Sequence, residues 1–105
     1  MDASIGNAIE KALEHERETV AGICRRVFEL REVMFEERES AAYLSGLLEE
    51  RGFVLRKPVA GLETGFAAEW SSGSGGPRLG LLAEYDALPV LGHACGHNMI
   101  AAAAA

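Results

Sequence analysis

Between Gly92 and Asn98 the chain reads GHACGHN, which places His93, Cys95 and His97 at alternate positions. The whole sequence has three histidines and two cysteines, and this stretch holds two of the former and one of the latter. In an extended segment, residues two apart face the same side. Imidazole and thiolate are good zinc ligands, and nearby carboxylates complete the usual donor set. A catalytic zinc typically keeps three protein ligands and one open position. Two such carboxylates, Glu84 and Asp86, stand just upstream in LLAEYDALP, again two apart. They share one side of an extended chain, although Asp-Ala-Leu-Pro is also a good turn sequence. A competing chemistry is nucleophilic: Cys95 with a histidine base, which requires the two side chains within hydrogen-bond reach. Haem attachment is disfavoured because Cys-x-x-Cys-His is absent. The third histidine, His15, falls among glutamates and reads as a solvated surface residue. Cys24 sits beside Ile23 and Val27 and reads as a small buried apolar residue.

The elements around these residues follow from hydrophobic periodicity. Ile5, Ile9, Leu13, Val20, Ile23, Val27, Leu30 and Met34 recur at helical spacing and predict one long first helix. A second helix is expected from about Phe35 to Arg51, with Tyr43, Leu44, Leu47 and Leu48 as its apolar face. Glu36, Glu37 and Glu39 would load its first turns with negative charge, at the positive end of the helix dipole. Gly52 is its stop, with Phe53 folding back as the accompanying contact. FVLRKPV then reads as a strand ended by Pro58, AGLETG as a turn and GFAAEW as a second strand. SSGSGGP is a flexible loop; it lacks a following Lys-Ser/Thr and ends in proline, which disfavours phosphate binding. RLGLLAEY is expected to be a third strand, with an apolar run that suits cover on both faces. Ligand sites of α/β sheets lie at the carboxyl ends of strands, where Glu84 and Asp86 fall. A last helix should begin near Asn98, since NMIAAAAA is rich in the best helix former. That helix is apolar on nearly every face and has no stop signal, so the sequence reads as the first portion of a larger protein.

Composition narrows the class. A hydrophobic fraction of 49% and a charged fraction of 25% are those of a globular protein. The net charge of −6 argues against nucleic acid or an anionic membrane as a partner. No apolar run approaches the roughly 20 residues of a membrane span. MDASIGNAIEKALEHE is not a secretory signal, and two distant cysteines then read as reduced thiols of a cytoplasmic protein.

AGLETGFAAEW, LLAEYDALP and GHACGHNMI, with ELREVMFEERESAAYLSGLLEERGF, resemble the amidohydrolase branch of the zinc-dependent aminoacylase and carboxypeptidase family. The short link between DALP and GHACGHN is most similar to aminoacylase-like dipeptidases and p-aminobenzoyl-glutamate hydrolases. The match runs from about Phe28 to the end, in order. The resemblance implies that Cys95 and His97 are metal ligands in a two-metal site of zinc or manganese. It implies that Asp86 supports that site. Glu84 falls where other branches carry a metal-binding histidine, and His93 is a neighbour rather than a ligand; spacing alone would enlist His93. Asn98 stands where hippurate-type members have Asp. The family's Glu-Glu pair, which includes the general base, its two later histidines and its dimerisation domain have no match in these 105 residues.

The expected fold is α/β: the N-terminal part of a zinc-exopeptidase-like α/β/α domain, with two helices, three strands of a mixed sheet and the start of a third helix. Residues 1–105 would be one portion of a catalytic domain. The expected function is metal-assisted hydrolysis of an amide bond in a small N-acyl or aminoacyl substrate. The parent protein would be homodimeric, and this segment, which carries no matched base, inactive alone. Two other readings remain open: a truncated metal- or partner-binding module without turnover, and a hydrolase with Cys95 as nucleophile.

Overall fold

The computed structural model describes residues 2–105. A long helix α1 (Ala3–Leu30) is followed by α2 (Arg38–Glu50), a hairpin of β1 (Val54–Arg56) and β2 (Ala67–Glu69), and a short α3 (His97–Ala104). At about 1.5 Å per residue, α1 alone is about 42 Å long, close to the 45 Å long axis of the molecule. Its start is capped by Asp2, whose carboxylate accepts the Ser4 N–H at 2.7 Å.

Only the second half of α1 carries core. Ile23 and Val27 are buried, whereas Ile5, Ile9 and Leu13 on the same apolar stripe are 51%, 47% and 62% exposed. The stripe is helical throughout, but among the described residues nothing packs on its first three turns. The buried cluster joins Ile23 and Val27 to Leu44 of α2 and to Ala101 and Ala102 of α3. Val20, Cys24, Tyr43, Leu47, Phe66 and Tyr85 pack around it. Cys24 is thus half-buried rather than enclosed.

The helix ends earlier than its periodicity implies. Arg31 adopts a left-handed backbone (φ 51°) and its N–H bonds to the Val27 carbonyl, so Met34 lies beyond the helix and is 60% exposed. α2 likewise begins at Arg38, not Phe35, which removes Glu36 and Glu37 from its first turn and leaves Glu39 there. Glu37 stands at the cap position, and a further carboxylate joins it. Glu32, in the connector, takes the Glu39 N–H at 2.9 Å and the Ser40 N–H at 2.6 Å on its two carboxylate oxygens, satisfying donors that the helix itself cannot. At the other end Gly52 (φ 92°) and the Phe53 N–H to Leu48 carbonyl bond close α2 as the sequence implies.

The expected three-stranded mixed sheet is not formed. β1 and β2 pair antiparallel, with Val54 opposite Glu69 and Arg56 opposite Ala67, and make the only sheet among the described residues. RLGLLAEY forms no strand. Its backbone finds no ladder partner, and Leu79, Leu81 and Leu82 are 86%, 80% and 98% exposed. An apolar run suits a strand only where another strand satisfies its backbone groups. A single bridge attaches the end of this segment to the rest, parallel between Ala87 and Val33, with the Ala87 N–H on the Glu32 carbonyl at 2.7 Å. Among the described residues no helix is long and apolar enough to cross a membrane.

Two outcomes test this architecture. Val27→Ala should lower the unfolding free energy by about 2 kcal/mol, measured by urea denaturation, while Leu13→Ala on the same stripe should shift it by under about 0.5 kcal/mol. The exposed leucines should make the 105-residue chain self-associate and bind a hydrophobic dye. Replacing Leu81 and Leu82 together by serine should reduce both, by fluorescence and by light scattering on a sizing column. A dye-negative monomer before substitution would show that this segment is covered in solution.

Candidate metal centre

Three of the chemically capable side chains converge. Glu84, Asp86 and His97 each bring a ligand atom within 4.8 Å of the other two. Asp86 Oδ1 is 2.7 Å from His97 Nδ1, and Glu84 Oε2 is 3.1 Å from His97 Nε2. The imidazole therefore lies between two carboxylates, one on each ring nitrogen.

Local structure explains the convergence. Glu84 and Asp86 sit two apart in the extended segment that leads into the bridge at Ala87, so both face the same way. The chain then turns through Leu88–Gly92, closed by paired backbone bonds between Leu88 and Gly92. Gly92 (φ 68°) lies under the Arg31 side chain; a Cβ there would meet Arg31 Nε at 3.0 Å. Arg31 also donates to the Val90 carbonyl at 3.1 Å, which ties this turn to the end of α1. Gly96 (φ 80°) makes the last turn, and His97 is the first residue of α3. The next residue, Asn98, is buried and donates its amide to the Cys24 carbonyl at 3.2 Å and to the Cys24 sulfur at 3.1 Å. The start of α3 is thereby fixed to α1, and His97 with it.

The electrostatics follow from the contacts. The hydrogen bond to Asp86, reinforced by its charge and that of Glu84, holds the His97 pKa above the ordinary imidazole value. The Asp86 contact is the shorter, and the Asp86 side chain is 27% exposed against 67% for Glu84. When the ring is neutral, its one proton therefore belongs on Nδ1, toward Asp86, leaving the Nε2 lone pair on the Glu84 side. Metal-bound histidines commonly donate their second ring N–H to a carboxylate in this way. The donor set of one imidazole and two carboxylates fits a borderline divalent metal such as zinc or manganese.

His93 and Cys95 stand outside this group. His93 is buried with its ring 6.4 Å from that of Phe28, and neither ring nitrogen has a hydrogen-bond partner among the described residues. Burial pushes its pKa down. Cys95 is exposed on the turn before α3. The alternation His93, Cys95, His97 thus does not line up three ligands, because the segment turns at Gly96 instead of staying extended. His15 is exposed, as its surroundings imply.

Sequence reasoning missed the support behind the carboxylates. Glu37, buried before α2, accepts the Thr64 hydroxyl at 2.6 Å. The Tyr85 hydroxyl donates to the Thr64 carbonyl, and its ring stacks on Phe66 at 6.1 Å. Burial, with the charges of Glu37 and Glu32 behind it, raises the Tyr85 pKa to about 12. The one available signal was the position of Tyr85 between the two acids, which sends its side chain to the opposite face.

No protein-family model matches the chain. Curated relatives do. The chain is 34% identical over 113 aligned positions to one of the subunits of the p-aminobenzoyl-glutamate hydrolase of Escherichia coli, a match covering 91% of this chain and 23% of that protein. It is 36% identical over 102 positions to the Xaa-Arg dipeptidase of Mus musculus, covering 85% and 22%. It is 35% identical over 96 positions to the N-acetyl-L-cysteine deacetylase of Bacillus subtilis, covering 78% and 23%. The chain therefore spans about a quarter of the length of these relatives. Through that shared quarter the chain is homologous to the amidohydrolase branch of the zinc-dependent aminoacylase and carboxypeptidase family.

Proposed function

We propose that the chain supplies metal-binding residues to a metal-dependent amidohydrolase or dipeptidase that cleaves the amide of a small N-acyl or aminoacyl substrate. The observation that carries this reading is the convergence of Glu84, Asp86 and His97, in a chain whose relatives hydrolyse amides. In this reading residues 1–105 are one portion of an α/β/α catalytic domain, dimeric when whole and cytoplasmic, where the free thiols Cys24 and Cys95 would stay reduced.

Each residue has a stated part. His97 presents Nε2 to the metal. Asp86 holds the His97 ring by Nδ1 and fixes its tautomer. Glu84, the most exposed of the three, is an additional oxygen donor. Cys95, on the turn just before His97, is a thiolate donor. His93, buried against Phe28, packs behind the site. The chemistry a divalent metal contributes in such a centre is polarisation of the amide carbonyl and a lower pKa for water. A general base must take the proton from that water; Asp86 is bonded to His97 Nδ1 and Glu84 serves as an oxygen donor, so neither is assigned that part. Cysteine-nucleophile hydrolysis has less support, since among the described residues the exposed Cys95 thiol is not grouped with His97 and has no hydrogen bond to a histidine.

The first test is metal binding. Zinc must displace the His97 proton, and a Cys95 donor must lose its thiol proton as well, so affinity measured by calorimetry should fall as pH is lowered, most steeply below the raised His97 pKa. The paired imidazolium also stabilises the fold. Its pKa is raised on folding, so that contribution is full below the ordinary histidine value and is lost as pH rises through the raised one. His97→Ala should abolish zinc binding and Cys95→Ser should weaken it. Unchanged affinity in Cys95→Ser would remove the thiolate from the donor set, and unchanged affinity in His97→Ala would overturn the site.

The second test is turnover. The zinc- or manganese-loaded chain should not hydrolyse p-aminobenzoyl-glutamate or hippurate above the rate in buffer. Hydrolysis that disappears in Asp86→Ala would show that Asp86 itself acts as the base.

A further inference from the structure

Glu84 and Asp86 are well placed toward His97, yet the segment that carries them lacks the ladder that usually orders such residues. No strand pairs with Leu79–Tyr85, and Leu82 is 98% exposed. Some other contact must hold the two carboxylates in register. The candidate is the residue between them. Alternation sends the Tyr85 side chain away from His97, into contact with the core cluster and Phe66. There its hydroxyl donates to the Thr64 carbonyl, and Thr64 is in turn fastened by its own hydroxyl to the buried Glu37. The second tether, the Ala87 N–H on the Glu32 carbonyl, lies beyond Asp86 and leaves Glu84 free to swing without Tyr85.

We infer that Tyr85 is a positioning residue for the Glu84–Asp86–His97 centre: its hydroxyl bond to Thr64 fixes the face of the chain that presents both carboxylates to the imidazole. Part of the inference rests on the metal-site reading, and part does not, because the Asp86–His97 hydrogen bond exists without metal.

Tyr85→Phe removes the hydroxyl and keeps the ring. Two readouts apply to the 105-residue chain. In the metal-free protein, above the pH where His97 is neutral, nitrogen-15 NMR of the ring reports which nitrogen carries the proton. The native chain should hold it on Nδ1; Tyr85→Phe should move the population toward the Nε2–H form that free histidine prefers. Zinc affinity by calorimetry should fall about tenfold, at the low end for loss of a supporting partner. Leu47→Ala, which trims the core without touching the site, is the control. It should lower stability and leave the tautomer unchanged. If Tyr85→Phe fails to fold, Phe66→Leu weakens the same anchor while sparing the hydroxyl, and should shift the tautomer in the same direction by less. A folded Tyr85→Phe chain with the native tautomer overturns the inference, as does a tautomer shift of equal size in Leu47→Ala. Absence of zinc binding in the native chain would sink the metal-site reading alone, since the tautomer measurement requires no metal.

Discussion

The seating of α3 on α1 is the constraint from which the site follows. Ala101 and Ala102 present a smooth face that lets α3 approach Ile23 and Val27 closely, and larger side chains there would hold the helices apart. Eight residues form a marginal helix in water, so α3 depends on this packing for its existence. His97 is its first residue, and Asn98 locks that end to the backbone and sulfur of Cys24. Once α3 lies against α1, the imidazole has one place to be. Only the carboxylates remain to be brought to it.

They are brought by a polar connection that starts just past the same, C-terminal end of α1. The connector after Leu30 folds back so that Glu32 serves two partners: its side chain caps α2, and its carbonyl takes the Ala87 N–H. Glu37, Thr64 and Tyr85 extend the connection from the start of α2 to the residue between the two acids. Glu37, Thr64 and Tyr85 each have a side-chain hydrogen bond in this run, and satisfied buried polar groups stiffen a fold; the Ser40 hydroxyl beside them has no partner among the described residues. The hairpin of β1 and β2 contributes by ending the segment that carries Thr64 and Phe66.

How much of this was legible in the sequence depends on the range of the interaction. The two central helices, the Gly52 stop, both hairpin strands and the start of α3 near Asn98 follow from periodicity and turn residues, which are local signals. Glu84, Asp86 and His97 were nameable from residue type and spacing. What spacing could not show was that Gly96 turns the chain, which parts His97 from His93 and Cys95. The expected third strand fails for a related reason. LGLLA has the composition of a covered strand, but a strand is a property of a pair, and no partner pairs with it among the described residues. The Glu32 cap is similarly invisible, since it acts across seven and eight residues through a connector with no regular structure.

The site is asymmetric. Asp86 is the less exposed carboxylate, holds the shorter contact, and is framed by the Tyr85 anchor on one side and the Ala87 bridge on the other. Glu84 is mostly solvated and adjoins the unpaired segment. Exposure weakens a charge contact through solvent screening, so the Glu84 contact with Nε2 is the weaker of the two. A ring held firmly by Nδ1 and loosely by Nε2 keeps its orientation while freeing one lone pair. That is the arrangement a ligand histidine needs. It follows from which carboxylate is anchored, more than from the number of acids nearby.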